Sequence, residues 1–164
     1  MIGLAFTHAT SRMKSPGSNR EFFGTNPLCF TAPMESEEPF CFDSAPTQIP
    51  FHKIIHNRKK NSSLPPACAA DEKGYETMDP HKAAQLLPIG IYKGFGWAMM
   101  VDILSGLLSG MPVGRDISKM YGDNLSEKRY LGQFFGAIRI DAFQPPEIFK
   151  KRLQKLAQEV RDEP

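Results

Sequence analysis

The sequence predicts an α/β protein of the mixed α+β class, with a mostly antiparallel sheet, a central buried helix and a C-terminal amphipathic helix. Short apolar runs bounded by turn residues indicate strands. A long stretch that is apolar on every helical face indicates a buried helix, and an apolar stripe at helical spacing indicates a surface helix. The length of 164 residues fits a single domain that spans residues 1–164.

The strands are predicted mainly in the first third of the chain. Ile2–Thr7 is an apolar run that suits a buried strand, and residues 8–20 are loop-like with a Pro-Gly turn. The runs LCFTAP from Leu28 and PFCFDSA from Pro39 flank the acidic turn MESEE, so we expect them to pair antiparallel. The alternating segment GQFFGAIRIDAF, which begins at Gly132, predicts a further strand.

Two short helices are predicted in the middle of the chain. FHKIIHNRKK lies within the ambiguous stretch 46–66 and suits a short helix, while DEKGYE is typical of a turn. In DPHKAAQLL, Asp79 is a good N-cap and Pro80 suits the first helical position, so we expect a helix that ends near Leu87.

The segment LPIGIYKGFGWAMMVDILSGLLSGM could be a membrane span, a buried helix or a phosphate-binding loop that leads into a helix. A span needs roughly 20 continuous apolar residues. The apolar part here extends from Trp97 to Met111 and is interrupted by Asp102. Apolar residues fall on every face, which is typical of the central helix of a domain.

The segment from Pro145 to Asp162 predicts an amphipathic helix. A proline pair and Glu147 favour a helix N-terminus at its start. Basic side chains lie away from an apolar face that is formed by Ile148, Phe149, Leu153, Leu156, Ala157 and Val160.

Composition restricts the classes of function. The chain is 41% hydrophobic and 23% charged, as in ordinary soluble domains, and a net charge of +2 without a basic stripe does not favour nucleic acid. The start MIGLAFTHAT lacks the features of a signal peptide. Cys29, Cys41 and Cys68 have no CxxC spacing, so we expect buried free thiols in a reducing, cytoplasmic compartment.

The loop GIYKGFG is a candidate anion site. Gly90, Lys93, Gly94 and Gly96 precede the predicted central helix. Glycines let backbone N–H groups approach an anion, the helix N-terminus favours negative charge, and the lysine adds a point charge. The pattern suits a phosphate-bearing cofactor, although it matches neither the Walker motif nor the Rossmann fingerprint. A glycine turn packed under the helix is the alternative.

Other polar residues give weaker signals. Asp43 ends a predicted strand, where it either contacts a ligand or caps a turn, and His8 follows another strand. His52 and His56 would share one face of a helix, but no HExxH motif or cysteine pair completes a zinc site, so no metal is expected. No Ser–His–Asp pattern is identifiable.

Four segments in order carry a resemblance to a known family. They are IGLAFTHATS…PG…FFGTNPLCFTAP, then PFCFDSA, then DPHKAAQLLPIGIYKGFGWAMMVDILSGLLSGMPVG, and then GQFFGAIRIDAF. Over nearly its whole length the chain resembles the type-2 malate/L-lactate dehydrogenase family of NAD(P)-dependent oxidoreductases. The stretch GRDISKMYGDN, followed by LGQ, is most similar to the subfamily that acts on ureidoglycolate.

The resemblance implies a non-Rossmann fold, a homodimer, and hydride transfer between a nicotinamide cofactor, NAD or NADP, and a small 2-hydroxy or 2-oxo acid. It maps the family's cofactor contacts onto the loop after the first strand, the strand end at FDSA and the lysine loop, with the GTNP turn lining the same region. The implied cofactor-binding residues are His8, Ala9, Thr10, Gly24, Thr25, Asn26, Asp43, Ser44, Ala45, Lys93 and Gly94.

The chain also departs from the family pattern. The first loop usually carries Asn and then Ser or Thr, whereas this chain has His8 and Ala9. The family's catalytic histidine and its substrate-binding residues lie upstream of the segment that corresponds to Ile2, and none of the four histidines aligns with the catalytic one. No catalytic residue is therefore assigned. The alternative function is a non-catalytic, truncated remnant that serves as a cofactor-binding or dimerisation module.

Overall fold

Eight strands and three α-helices are assigned in the computed structural model, which describes residues 1–120, 126 and 128–164. The last four residues of GRDISKMYGDN lie outside the described part of the chain. Short 3-10 helices span Leu107–Ser109, Gly114–Asp116 and Ile140–Ala142. The other elements are β1 Ile2–Thr7, β2 Met13–Lys14, β3 Glu21–Phe23, β4 Leu28–Ala32, β5 Phe40–Ser44, α1 Phe51–Lys60, β6 Ala69–Ala70, β7 Gln85–Leu86, α2 Tyr92–Ser105, β8 Gln133–Ile138 and α3 Pro146–Arg161. The mixed α+β class is confirmed.

The chain groups into two compact units. The first consists of Met1–Ala5, Leu28–Ser44 and Phe135–Pro164, and the second consists of Phe6–Pro27 and Ala45–Phe134.

The first unit contains the predicted hairpin. β4 and β5 pair antiparallel, from Leu28 opposite Ser44 to Ala32 opposite Phe40. They belong to a sheet of order β5-β4-β1-β8, so β5 is an edge strand. The predicted strands β1 and β8 are confirmed, but β1 is half-buried along its length rather than fully buried.

The C-terminal helix α3 begins and ends within one residue of the predicted positions. Its N-terminal turn carries a proline and Glu147, and Arg161 in its last turn donates two hydrogen bonds to Glu37 at 2.8 and 3.1 Å. Gln154 accepts a hydrogen bond from the backbone N–H of Ser36 at 2.9 Å. These polar contacts join α3 to the turn between β4 and β5.

The second unit contains a sheet of order β3-β2-β7-β6, in which β2 is parallel to β7 and antiparallel to β3. The strands are short, and β2 lies inside the stretch predicted as a loop. Helix α1 matches the predicted short helix and buries Ile54 and Asn57. The main apolar cluster of this unit comprises Ile54, Leu64, Cys68, Ala69, Ala83 and Leu86.

The helix predicted from Asp79 to Leu87 is wrong. Asp79 does accept a hydrogen bond from the backbone N–H of His81, at 2.9 Å, but only one turn follows. Gln85 and Leu86 instead form β7, where they pair with β6, and Leu86 also pairs with β2. Ladder hydrogen bonds on both sides and full burial of Leu86 therefore override the local helical signal.

Helix α2 is formed where a central helix was predicted, but burial on every face is wrong. Its buried residues, Gly94, Ala98, Val101, Asp102 and Ser105, lie on one face. On the opposite face Met99 is 50% exposed and Ile103 is 43% exposed. In the part of the chain that the structure describes, no helix is long and apolar enough to cross a membrane.

Burial was predicted for all three cysteines, and the structure bears this out only for Cys68. Cys41 is exposed and Cys29 is half-buried, because both lie in the β4–β5 hairpin and β5 forms a sheet edge. All three are free thiols.

Candidate active site

A cavity of about 400 Å³ in the second unit brings together residues from distant parts of the sequence. Five of the residues predicted to bind a cofactor line this cavity: His8, Ala9, Thr10, Thr25 and Ala45. The other lining residues are Thr7, Arg12, Pro27, Pro50, Phe51, His52, Met120, Arg129 and Leu131. The loop after β1, the GTNP turn and the start of α1 therefore meet around one space.

The loop after β1 is held in place by Asn26. Asn26 is fully buried, its side-chain oxygen accepts a hydrogen bond from the Ala9 N–H at 3.0 Å, and its amide donates to Ala98 O at 2.8 Å and to Asp102 Oδ1 at 2.7 Å. Its φ of 36° lies in the left-handed region, which asparagine adopts more readily than most residues. Asn26 thus acts as a positioning residue behind the cavity wall.

Gly24, in the same turn, packs directly against Ala9. A Cβ built at Gly24 would overlap the Ala9 backbone carbonyl. Only glycine permits this approach of two backbones. Gly24 and Asn26 therefore support the loop from behind and are not among the residues that line the cavity.

Asp102 is a buried carboxylate in this arrangement, 3% exposed. It accepts hydrogen bonds from the Asn26 amide and from the Gly114 N–H, the latter at 2.8 Å. Burial raises the pKa of Asp102, while the hydrogen bonds from Gly114 and Asn26 and the nearby His8 act in the opposite direction. The sequence indicated only that Asp102 suits a protein interior.

His8 and Thr10 are buried polar residues on the cavity wall. His8 Nε2 accepts a hydrogen bond from the Gly132 N–H at 3.4 Å, while Nδ1 has no partner among the described residues. The Thr10 hydroxyl donates to Ser118 O at 2.8 Å. Thr10 is therefore committed to a protein contact, whereas His8 retains hydrogen-bonding capacity.

The cavity has a cationic lining that the sequence did not reveal. Its charged lining residues are Arg12 and Arg129, and no Asp or Glu lines the cavity among the described residues. The Arg12 guanidinium lies 4.3 Å from the centre of the Phe51 ring, in cation–π geometry. No local sequence motif predicts these lining residues, because they lie in separate segments that come together only in the folded chain.

The lysine loop lies at the start of α2, and neither Lys93 nor Gly94 lines the cavity. The backbone N–H groups of Lys93 and Gly94 already donate to Gly90 O and Ile89 O, at 3.1 and 2.7 Å. These two amides are thus not free to cradle an anion. What the loop offers is the exposed side chain of Lys93.

The FDSA segment ends β5. Asp43 is exposed and stands opposite Cys29, and Ser44 stands opposite Leu28. Both belong to the first unit, whereas Ala45 begins a segment of the second unit. His52 and His56 are exposed on α1, and the described residues contain no group of three or more potential metal ligands.

Comparison with known proteins supplies a family. A sequence model described as malate/L-lactate dehydrogenase matches residues 1–164. The chain is similar to ureidoglycolate dehydrogenase (NAD(+)) of Escherichia coli O157:H7, with 38% identity over 160 residues, 98% of this chain and 46% of the relative. It is also similar to (2R)-3-sulfolactate dehydrogenase (NADP(+)) of Chromohalobacter salexigens, with 30% identity over 74% of this chain and 37% of the relative.

The fold is that of a solved member of this group. The structure of sulfolactate dehydrogenase from Methanocaldococcus jannaschii matches the whole chain with a TM-score of 0.89 and 31% sequence identity. The match covers 47% of that protein. The chain therefore spans about half the length of ureidoglycolate dehydrogenase and of this sulfolactate dehydrogenase.

Proposed function

This chain belongs to the malate/L-lactate dehydrogenase family, and we propose that it forms the cofactor-binding part of an NAD(P)-dependent oxidoreductase. The reaction would be hydride transfer between the nicotinamide cofactor and a small 2-hydroxy or 2-oxo acid. The names of two relatives support this class, since one specifies ureidoglycolate with NAD(+) and the other sulfolactate with NADP(+).

The cavity in the second unit is the observation that carries the proposal. Its volume of about 400 Å³ suits a small-molecule site. Arg12 and Arg129 line it with positive charges, which attract phosphate or carboxylate, and Phe51 and Leu131 are apolar lining residues. A nicotinamide dinucleotide combines these features, because it joins flat apolar rings to negatively charged phosphates.

The residues proposed to contact the cofactor are those that the family pattern implies. His8, Ala9, Thr10, Thr25 and Ala45 would do so from the cavity wall, and Lys93 would contribute charge from the start of α2. Gly24, Asn26 and Gly94 would act by positioning backbone. For Asp43 and Ser44, which end β5 in the first unit, a cofactor contact rests on the family pattern alone.

The bound cofactor would supply the hydride acceptor or donor. The residues of this chain would bind it, orient it and exclude water from the cavity. Asn26 and Gly24 fix the loop that carries Ala9, so the wall of the cavity is set before a ligand arrives. We assign no proton-transfer residue within this chain.

A homodimer is part of the proposal. The outward face of α2 supports it, because Met99, Met100 and Ile103 are each at least 42% exposed. The only charged residue from Gly94 to Gly114 is Asp102, which is buried on the opposite face. An exposed apolar surface of this kind is typical of a protein–protein interface.

We further propose a cytoplasmic location and a single functional domain over residues 1–164. The location is supported by three free thiols, which persist in a reducing compartment. The domain assignment is supported by the family match, which is continuous over the whole chain.

The proposed function is tested by titrating the purified chain with NADH and NADPH and following nicotinamide fluorescence. We expect saturable binding of at least one cofactor. Lys93→Ala should weaken it by about tenfold or more, because a charge-assisted contact is worth about 1.5–3 kcal/mol and each 1.4 kcal/mol is about tenfold.

Lys73→Ala is the matched control, since Lys73 is an exposed lysine in the turn between β6 and β7. A folded chain that binds neither cofactor would contradict the proposal. Unchanged affinity in Lys93→Ala would remove only that lysine from the site. The alternative function is a non-catalytic module that binds the cofactor or dimerises. Substrate-dependent oxidation of NADH or NADPH by the chain would exclude it.

A further inference from the structure

Two cysteines lie side by side on the β4–β5 hairpin. The register places Cys29 opposite Asp43 and Thr31 opposite Cys41. Alternate residues of paired strands share a face of the sheet, so Cys29 and Cys41 are diagonal neighbours on one face. Their sulfurs are 3.9 Å apart, within hydrogen-bonding contact, and either sulfur can donate to the other.

The hairpin is placed so that the two sulfurs can approach further. A disulfide requires a sulfur–sulfur distance of about 2.05 Å, and diagonal neighbours are farther apart than residues directly opposite each other. Some movement of a strand is therefore needed. β5 is the edge strand of its sheet, and its residues Phe40–Asp43 are exposed, so it can shift without breaking a second ladder.

We propose that Cys29 and Cys41 form a dithiol modification site at which a hydroperoxide oxidises the pair to an intramolecular disulfide. In the first step the Cys41 thiolate attacks one peroxide oxygen, the O–O bond breaks, and Cys41 becomes a sulfenic acid as the other oxygen leaves and takes a proton to form water or an alcohol. In the second step the Cys29 sulfur attacks the Cys41 sulfur and the S–O bond breaks. The hydroxide that leaves takes the Cys29 proton, and the peroxide has then accepted the two electrons that the sulfurs lost.

The environments of the three cysteines assign these roles. Cys41 is the exposed thiol and is the one that a peroxide in solution reaches. Burial, the hydrogen bond with Cys41 and the charges of Cys41 and Asp43 raise the pKa of Cys29, so Cys29 stays protonated and acts second. Cys68 is buried, its thiol donates to Pro65 O at 2.9 Å, and burial raises its pKa, so it is the unreactive thiol of the chain.

The experiment is oxidation of the fully reduced chain with one equivalent of hydrogen peroxide. We expect the thiols titrated in denaturant to fall from three to one, and the intact mass to fall by about 2 Da, the two hydrogens lost. Dithiothreitol should restore both values. Cleavage by glutamyl endopeptidase after Glu35 or Glu37, which lie between the two cysteines, should yield fragments that separate only after reduction.

Three serine variants provide the controls. Cys68→Ser should retain the mass loss, whereas Cys29→Ser and Cys41→Ser should lack it and be driven to oxygen adducts or disulfide-linked dimers. Three thiols after peroxide treatment, or a disulfide that includes Cys68, would overturn the proposal. The disulfide forms or fails to form whether or not the chain binds a cofactor, so this test is independent of the proposed function.

Discussion

At the scale of single residues, the cavity depends on polar groups that are fully committed inside the protein. The Asn26 side chain makes three hydrogen bonds, to Ala9, Ala98 and Asp102, and the Asp102 carboxylate accepts two. Buried polar groups stabilise a structure only when each finds its partner, and a half-satisfied network is costly. The GTNP motif therefore has a structural role, because its Asn26 holds the loop that carries Ala9, in addition to any contact with a ligand.

Asp102→Asn should lower the free energy of unfolding by about 1–3 kcal/mol at pH 7. The new side chain has an NH2 group in place of one carboxylate oxygen, so either the Asn26 amide or the Gly114 N–H would lose its acceptor. Burial raises the pKa of Asp102 above its ordinary value of 3.8. A carboxyl group whose pKa is higher in the folded than in the unfolded protein stabilises the folded state. This contribution is fully present below pH 3.8 and is lost as the pH rises through the pKa of the folded protein.

The difference between wild type and Asp102→Asn should therefore widen as pH falls from 7 towards 4. Urea unfolding at a series of pH values measures it. Asp116→Asn changes an exposed aspartate and should show neither effect. A difference that does not vary with pH would contradict the raised pKa.

At the scale of elements, local signals predicted the three α-helices and four of the eight strands among the described residues, and they failed where pairing with distant strands decides the structure. The hairpin, α1, α2 and α3 were all indicated by spacing and turn residues. β7 was not, because Gln85 and Leu86 follow a good N-cap, and only their partners in β6 and β2 make them a strand. Strand residues whose partners lie far away in sequence carry little local information.

The turn between β3 and β4 gives a test at this scale. Gly24→Ala should lower the free energy of unfolding by about 1–3 kcal/mol, because its Cβ would overlap the Ala9 carbonyl. Gly96→Ala is the matched control, since a Cβ there meets nothing within 4 Å in the interior of α2, and it should raise stability by about 0.5–1 kcal/mol. Urea denaturation of both variants measures these shifts. Equal effects of the two substitutions would show that the contact with Ala9 is not tight.

At the scale of the whole molecule, the exposed apolar face of α2 bears on assembly. The sequence indicated burial on every side, and the described chain covers only one side of the helix. Burying such apolar surface between two chains favours association by roughly 25 cal/mol for each Å² removed from water. We therefore expect the chain to self-associate through this face.

Ile103→Glu should weaken that association by more than about tenfold, because each 1.4 kcal/mol is a factor of ten and a buried unpaired carboxylate costs more than that. Sedimentation of both proteins over a range of concentrations measures the change. Leu156→Glu is the control, since Leu156 is an exposed apolar residue on α3. A monomeric wild-type chain, or dissociation caused only by Leu156→Glu, would contradict the assignment of this interface.

The sequence by itself determined the fold class, the hairpin, the terminal helix and the family, because these depend on local spacing and on ordered motifs. The tertiary structure decided which residues share the cavity. Arg12, His52 and Arg129 lie far apart in the chain and line one space only after folding. It also decided that Lys93 and Gly94 lie outside the cavity wall, and that one face of α2 is open. These outcomes depend on long-range packing, which no local pattern of residue types encodes.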